Sequence, residues 1–123
     1  ARLDTAINYL PARIASMILA LAALVAPSAN PAAAFATIWR DARRHRSLNA
    51  GWPEAAAAGA LGLALAGPRR YGGHVVDDPW IGGGRARATA HDIRRALYLY
   101  VIACLIVAGL VAGVALTREA TRL

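Results

Sequence analysis

Between Arg40 and Glu54 the chain sets four arginines, two carboxylates and a histidine: Arg40-Asp41-Ala42-Arg43-Arg44-His45-Arg46, then Ser47-Leu48-Asn49-Ala50-Gly51-Trp52-Pro53-Glu54. Guanidinium groups bind phosphate through charge-assisted, often bidentate, hydrogen bonds, so the four arginines of this segment are candidates for phosphate recognition. Asp41 and Glu54 are hard oxygen donors that suit Mg2+, with substrate phosphates and water completing the shell. His45 can carry a proton. Each residue also has a plainer role: arginines anchor on lipid headgroups, acids cap helices or pair locally, and single histidines sit on surfaces. His74 and His91 have no spacing that indicates a metal site. Further along, Tyr71-Gly72-Gly73 would let backbone amides approach an anion, although the run is not a Walker pattern.

These polar groups sit in apolar surroundings. The 123 residues have the length of one domain, but 58% are hydrophobic and the mean hydropathy is +0.41, which points to a membrane protein. Ala96 to Thr117 is the clearest span, 22 residues with no ionisable group beyond two tyrosines and Cys104. Pro11 to Ala26 is a second, shorter one; Pro11 and Arg13 at its head and the lack of a cleavage signal argue against a secretory leader. Every basic residue is arginine, and the formal charge is +7. Because the arginines lie at the ends of apolar segments, anionic lipid headgroups or phosphorylated ligands are nearer partners than nucleic acid. Arginines flank every apolar segment, but the densest groups, 40–46 and 69–95, favour the cytoplasmic side. The lone Cys104 lies inside the last span, where a small apolar role suits it.

The elements that must position the candidate residues follow from caps and periodicity. Asn30 followed by Pro31 reads as an N-cap and first helical residue, opening an amphipathic helix over about 31–45 that lies in the interface plane. Ser47 to Trp52 is expected to be a loop, with Pro53 and Glu54 in the first turn of a helix over Ala55 to about Ala66. That helix is too short to span and is expected to be re-entrant or buried in protein, with Ala55, Gly59 and Leu63 on a small-residue contact face. Gly67 to Ala88 reads as a long polar, glycine-rich loop with little regular structure. Thr89 and Asp92 form a capping-box start for the last helix near Ala90, and Gly109 and Gly113 give it a GxxxG packing face. The fold class is therefore all-α: a polytopic helical membrane protein with an interfacial helix, a short buried or re-entrant helix and a polar loop.

The order of these runs carries more than any one of them. Asn8-Tyr9-Leu10-Pro11-Ala12-Arg13, then Arg40-Asp41-Ala42-Arg43-Arg44-His45, then Asn49-Ala50-Gly51-Trp52-Pro53-Glu54-Ala55 with Gly59-Ala60-Leu61-Gly62, then Gly67-Pro68 and Tyr71-Gly72-Gly73 closely resemble the CobD/CbiB family of cobalamin-biosynthesis membrane proteins. The resemblance covers about Arg2 to Arg95, the C-terminal part of the family's longer chain. With Ala1 and not Met first, an upstream N-terminal part of the same protein is expected. Leu48 stands where the family commonly has proline, and Arg44 where it commonly has lysine.

The resemblance implies adenosylcobinamide-phosphate synthase: an ATP-dependent ligase that joins a side-chain carboxylate of a corrinoid, adenosylcobyric acid, to an aminoalcohol phosphate. ATP and Mg2+ would be its cofactors, the bilayer of the inner membrane its setting, and a homo-oligomer a possible state. Carried over residue by residue, Arg13, Arg43 and Arg44 would bind phosphate, while Asp41 and Glu54 would hold Mg2+ or take the amine proton, with His45 as a proton carrier. Asn8, Asn49, Gly51, Trp52, Tyr71, Gly72 and Gly73 would shape the pocket. Two other readings stand beside it, a non-catalytic regulatory membrane protein of the AmpE type and a small structural subunit packing through its GxxxG helix.

Overall fold

The computed structural model describes residues 2–123. Four helices, α1 (Arg2–Ala22), α2 (Pro31–Asp41), α3 (Gly51–Leu61) and α4 (Ala90–Arg122), carry the architecture. Four short strands, β1 (Leu65–Ala66), β2 (Arg69–Tyr71), β3 (His74–Val76) and β4 (Trp80–Ile81), fill the segment between α3 and α4. The architecture is mainly helical, but the expected all-α class is corrected by these strands. α1 and α4 are long and apolar enough to cross a bilayer.

α3 is the centre of the packing. Seven of its residues are buried, among them Ala55, Ala56, Ala58, Gly59 and Ala60, and it lies against α1 and α2. Gly59 makes the α2 contact possible: a Cβ there would collide with the Ala33 carbonyl and the Thr37 side chain. This is the protein-buried helix that the small-residue pattern implies, but its ends are shifted. It starts at Gly51 and stops at Leu61, because Gly62 adopts a left-handed φ of 68° and returns its N–H to the Ala58 and Gly59 carbonyls. Leu63 to Ala66, expected to be helical, leave along β1.

The other boundaries have local causes. Asn30 caps α2 by accepting from the Ala33 N–H at 3.0 Å, with Pro31 in the first turn. α2 ends at Asp41 and passes into a 3₁₀ turn over Ala42–Arg44, so the expected helix over 31–45 changes its winding in its last part. α1 runs through Pro11 and stops at Ala22, four residues short of the expected Ala26; the chain then turns through Leu24 to Ser28, where Ser28 has φ 61°. Thr89 and Asp92 complete a reciprocal capping box at the head of α4. Gly109 and Gly113 meet no other group among the described residues.

The polar segment after α3 is more ordered than its composition implies. β2 and β3 pair antiparallel across Gly72-Gly73, whose φ angles of 54° and 84° are those of a two-residue type I′ hairpin turn. β1 pairs with β4, and Gly67 lies directly against the Trp80 ring with no room for a Cβ. Ile81 is fully buried and anchors β4 in the core.

Candidate functional site

The turn between α2 and α3 folds His45 onto the first turn of α3. Gly51 permits the approach, because a Cβ there would strike the Ala42 carbonyl and the His45 side chain. His45 Nε2 lies 2.9 Å from Glu54 Oε2. Its Nδ1 accepts the Ser47 N–H at 2.9 Å, which leaves the ring proton of the neutral imidazole on Nε2, directed at the carboxylate. Both ring nitrogens are thus occupied, whereas Glu54 Oε1 has no hydrogen-bond partner among the described residues.

The β2–β3 hairpin stands over this pair and closes a cleft of about 360 Å³ lined by His45, Arg46, Glu54, Arg69, Tyr71 and Asp78. Arg46 and Asp78 join across it at 2.8 Å. Tyr71 therefore lines this cleft. Gly72 and Gly73 do not; they form the open tip of the hairpin and line no part of the cleft.

A second cleft of about 380 Å³ shares His45 and Arg46 and extends to Tyr9, Arg13, Arg43, Ser47, Leu48 and Trp52. Here Arg13 is sandwiched, its guanidinium carbon 3.4 Å from the Tyr9 ring centre and 4.5 Å from that of Trp52. One of its nitrogens donates to the Tyr9 carbonyl at 2.7 Å and to Asn49 Oδ1 at 3.3 Å. Asn49 in turn donates to the Thr5 carbonyl at 3.0 Å, tying the loop to α1. Arg43 is exposed and forms no ion pair among the described residues. The Trp52 indole nitrogen is buried without a protein partner. Asn8 stays outside both clefts, bonded to Asp4 one turn earlier on α1.

Asp41 belongs to a different network. Arg40 donates to both of its oxygens, at 2.9 and 2.8 Å, and the Gly82 N–H donates to Oδ2 at 2.8 Å. Arg44 lies 3.6 Å from Oδ1, so it faces this buried acid and neither cleft. The hydrogen bonds from Arg40 lower the Asp41 pKa below its ordinary 3.8; burial opposes them, and the Gly82 amide and the charges of Arg40 and Arg44 assist. Asp92, at the head of α4, is held the same way, by Arg85 at 2.7 Å, Arg95 at 3.2 Å and the Thr89 N–H at 2.9 Å. The Arg85 bond first, and then those from Thr89, depress its pKa against the opposing effect of burial. Arg95 extends the network by donating to the Leu61 carbonyl at 2.9 Å and the Ser28 carbonyl at 2.7 Å, which joins α3, the α1–α2 turn and α4.

The expected Mg2+ pair is not assembled by this geometry. Asp41 has both oxygens engaged by protein donors, Glu54 stands on His45, and no three His, Cys, Asp or Glu side chains converge among the described residues. Sequence reasoning missed Arg69 and Asp78, which come from the segment read as loop, and gave Arg46 no role of its own. Arg95, for its part, binds two carbonyls inside the fold.

A helical protein with two apolar helices long enough to cross a bilayer, carrying two arginine-bearing clefts beside the His45–Glu54 pair, is the class these observations define. The family model for the CobD/Cbib protein matches residues 1–100, and the chain belongs to that family. It is 46% identical over 118 residues to the cobalamin biosynthesis protein CobD of Brucella anthropi, covering 94% of this chain and 36% of that protein. The CobD of Rhodobacter capsulatus is 47% identical over 100 residues, 81% of this chain and 30% of its own, and that of Klebsiella pneumoniae 43% over 114 residues, 93% and 35%. The chain thus spans about a third of the length of the curated relatives it matches. No solved structure matches it.

Proposed function

We propose that this chain is the C-terminal part of a membrane enzyme of cobalamin biosynthesis, one that forms an amide between a corrinoid side-chain carboxylate and an aminoalcohol phosphate at the expense of ATP. Family membership and the names of the relatives support the pathway. The observation that carries the chemistry is the His45–Glu54 pair at the wall shared by two arginine-bearing clefts. The setting is the inner membrane, with the polar segments on the cytoplasmic face where ATP is available.

Amide formation from a carboxylate needs a leaving group. Transfer of the γ-phosphoryl group of ATP to the corrinoid carboxylate gives an acyl phosphate and ADP. The amine nitrogen then bonds to the acyl carbon, the C–O bond to phosphate breaks, and a proton leaves the nitrogen. In this reading Glu54 Oε1 takes that proton, and His45, fixed by the Ser47 N–H, holds the carboxylate in place through Oε2. Arg13 and Arg43 stabilise charge on the transferring phosphoryl group, in a site where pre-set donors need no reorganisation. Asp41 and Glu54 do not fit Mg2+ as a pair, so no step here runs through a metal. Asp41 is a positioning residue for the Gly82 turn.

Glu54→Gln in the full-length, membrane-inserted protein tests the reading. Amide formation should fall by about a hundredfold or more, as for loss of an acid–base group, with the protein still folded. Near-normal conversion of the corrinoid acid would remove Glu54 from the mechanism.

A further inference from the structure

We infer that the His45–Glu54 cleft is the seat of the amine substrate, and that it selects a small zwitterion, a phosphate and an ammonium on one short chain, with Arg69 and Arg46 as donors to the phosphate and Asp78 and Glu54 as acceptors for the ammonium. This rests on the ligase reading above and assigns to Arg69 and Asp78 a part in substrate recognition.

The two clefts differ in sign. The one under the hairpin brings two guanidiniums and two carboxylates together with the Tyr71 hydroxyl. Its neighbour has Arg13, Arg43 and Arg46 and no carboxylate. An ammonium in the second cleft would face cations only, whereas in the first it meets two acids. Each of those acids has one oxygen committed, Glu54 Oε2 to His45 at 2.9 Å and Asp78 Oδ1 to Arg46 at 2.8 Å. The other oxygen of each has no hydrogen-bond partner among the described residues. Arg69 is equally uncommitted, its one polar contact being the Tyr71 hydroxyl at 3.4 Å. Two open carboxylate oxygens and an open guanidinium in about 360 Å³ match the charges of an aminoalcohol phosphate, in a space of the size that holds small ligands.

Seating the amine here also orders the reaction. The ammonium gives its first proton to water at the open mouth of the cleft, becoming the neutral nucleophile, Asp78 orients its N–H, and the second proton passes to Glu54 Oε1 as the amide forms. The acyl phosphate then lies toward the adjoining cleft, across the wall made by His45 and Arg46, so that the C–N bond forms as the C–O bond to phosphate breaks.

The test compares two ligands on the full-length protein in nanodiscs by titration calorimetry: 1-amino-2-propanol phosphate, and isopropyl phosphate, which keeps the phosphate and lacks the amine. Wild type should bind the amine compound at least about tenfold tighter, the gain expected of a charged hydrogen bond. Asp78→Asn should reduce that ratio to near one while isopropyl phosphate binds as before or better, since Arg46 is released. Arg69→Ala should weaken both ligands by a similar factor, about tenfold. Arg70→Ala, on the same hairpin but outside the cleft, should change neither. If Asp78→Asn keeps the preference, or Arg70→Ala weakens the amine ligand and Arg69→Ala does not, the assignment of this cleft is wrong. Amide formation by the same preparations separates the two levels: turnover with KM for the aminoalcohol phosphate unmoved by Arg69→Ala and Asp78→Asn sinks the subsite alone. Wild-type protein that neither binds the amine compound nor forms the amide sinks the ligase reading with it.

Discussion

The two ends of α3 use the same residue types for opposite purposes. At the C-terminal end Asp92 accepts from Arg85, Arg95 and Thr89, and beside the helix Asp41 accepts from Arg40 and the Gly82 amide, so that both oxygens of each buried acid are bonded. At the N-terminal end Glu54 and Asp78 each spend one oxygen on a protein donor and keep the other. A carboxylate with every lone pair occupied fixes backbone and has nothing left for a ligand. One that is half-bonded is held in place and still able to accept, which is what substrate recognition and proton transfer require. The difference separates scaffold from site within a distance of about 16 Å, the length of an 11-residue helix.

That contrast can be broken by substitution, beginning where the loss should be largest. Arg95→Met removes charged hydrogen bonds to two carbonyls, Leu61 and Ser28, from the closed end. It should destabilise the protein by about 3 kcal/mol or more, at 1.5 to 3 for each such bond, and leave ligand affinity in the folded fraction unchanged; thermal unfolding and titration together check this. At the open end Arg43→Ala should cost about 1.5 to 3 kcal/mol of ATP affinity per bond lost, with unfolding temperature unmoved. An equal loss of stability would place Arg43 in the scaffold.

Asp41→Asn should cost about 1 to 3 kcal/mol of stability through the Gly82 amide and Arg40 it leaves poorly paired, with KM for either substrate intact. The same acid sets a pH dependence. Its folded pKa lies below the ordinary 3.8, so its contribution is complete above that value and is lost as pH falls below it toward the folded pKa. Acid unfolding followed by circular dichroism should show a transition in wild type that is flattened in Asp41→Asn. The smallest effect belongs to Arg44→Ala: at 3.6 Å from Asp41 and largely exposed, it should change stability by about 1 kcal/mol or less and nucleotide affinity not at all. A large affinity loss would return Arg44 to the phosphate site and erase the distinction from Arg43.

The starts of α2 and α4 were legible because they are written in side chains. Asn30 with Pro31, and Thr89 with Asp92, act within one turn and need no tertiary partner. The end of α3 was harder to see: from Ala55 to Ala66 the chain is a run of small and apolar residues with no change of period, and only Gly62 marks the stop, by a backbone angle. The role of Asp41 was hidden for a related reason. Its fixed partner is the amide of Gly82, 41 residues away, and a backbone N–H leaves no trace in residue type. Gly72-Gly73 between Tyr71 and His74-Val75-Val76 did carry a hairpin signal, but glycine also suits an anion loop, and composition alone favoured the loop. Among the site residues, Arg13, Asn49, Trp52 and the His45–Glu54 pair came together because the 47–50 turn brings the loop back on α1 and α3. Arg69 and Asp78 reached them only through strand pairing.

The stacking of Arg13 on Trp52 gives the protein a built-in optical gauge of its second cleft. Of the three tryptophans, Trp39 is 88% exposed and Trp80 46% exposed, whereas the Trp52 indole nitrogen is buried. A soluble quencher such as acrylamide should act more strongly on the first two than on the third. What emission persists then reports on a ring whose face carries a guanidinium, so any anion that draws Arg13 away changes the colour and lifetime of the remaining light. The cleft can in this way be read without a label.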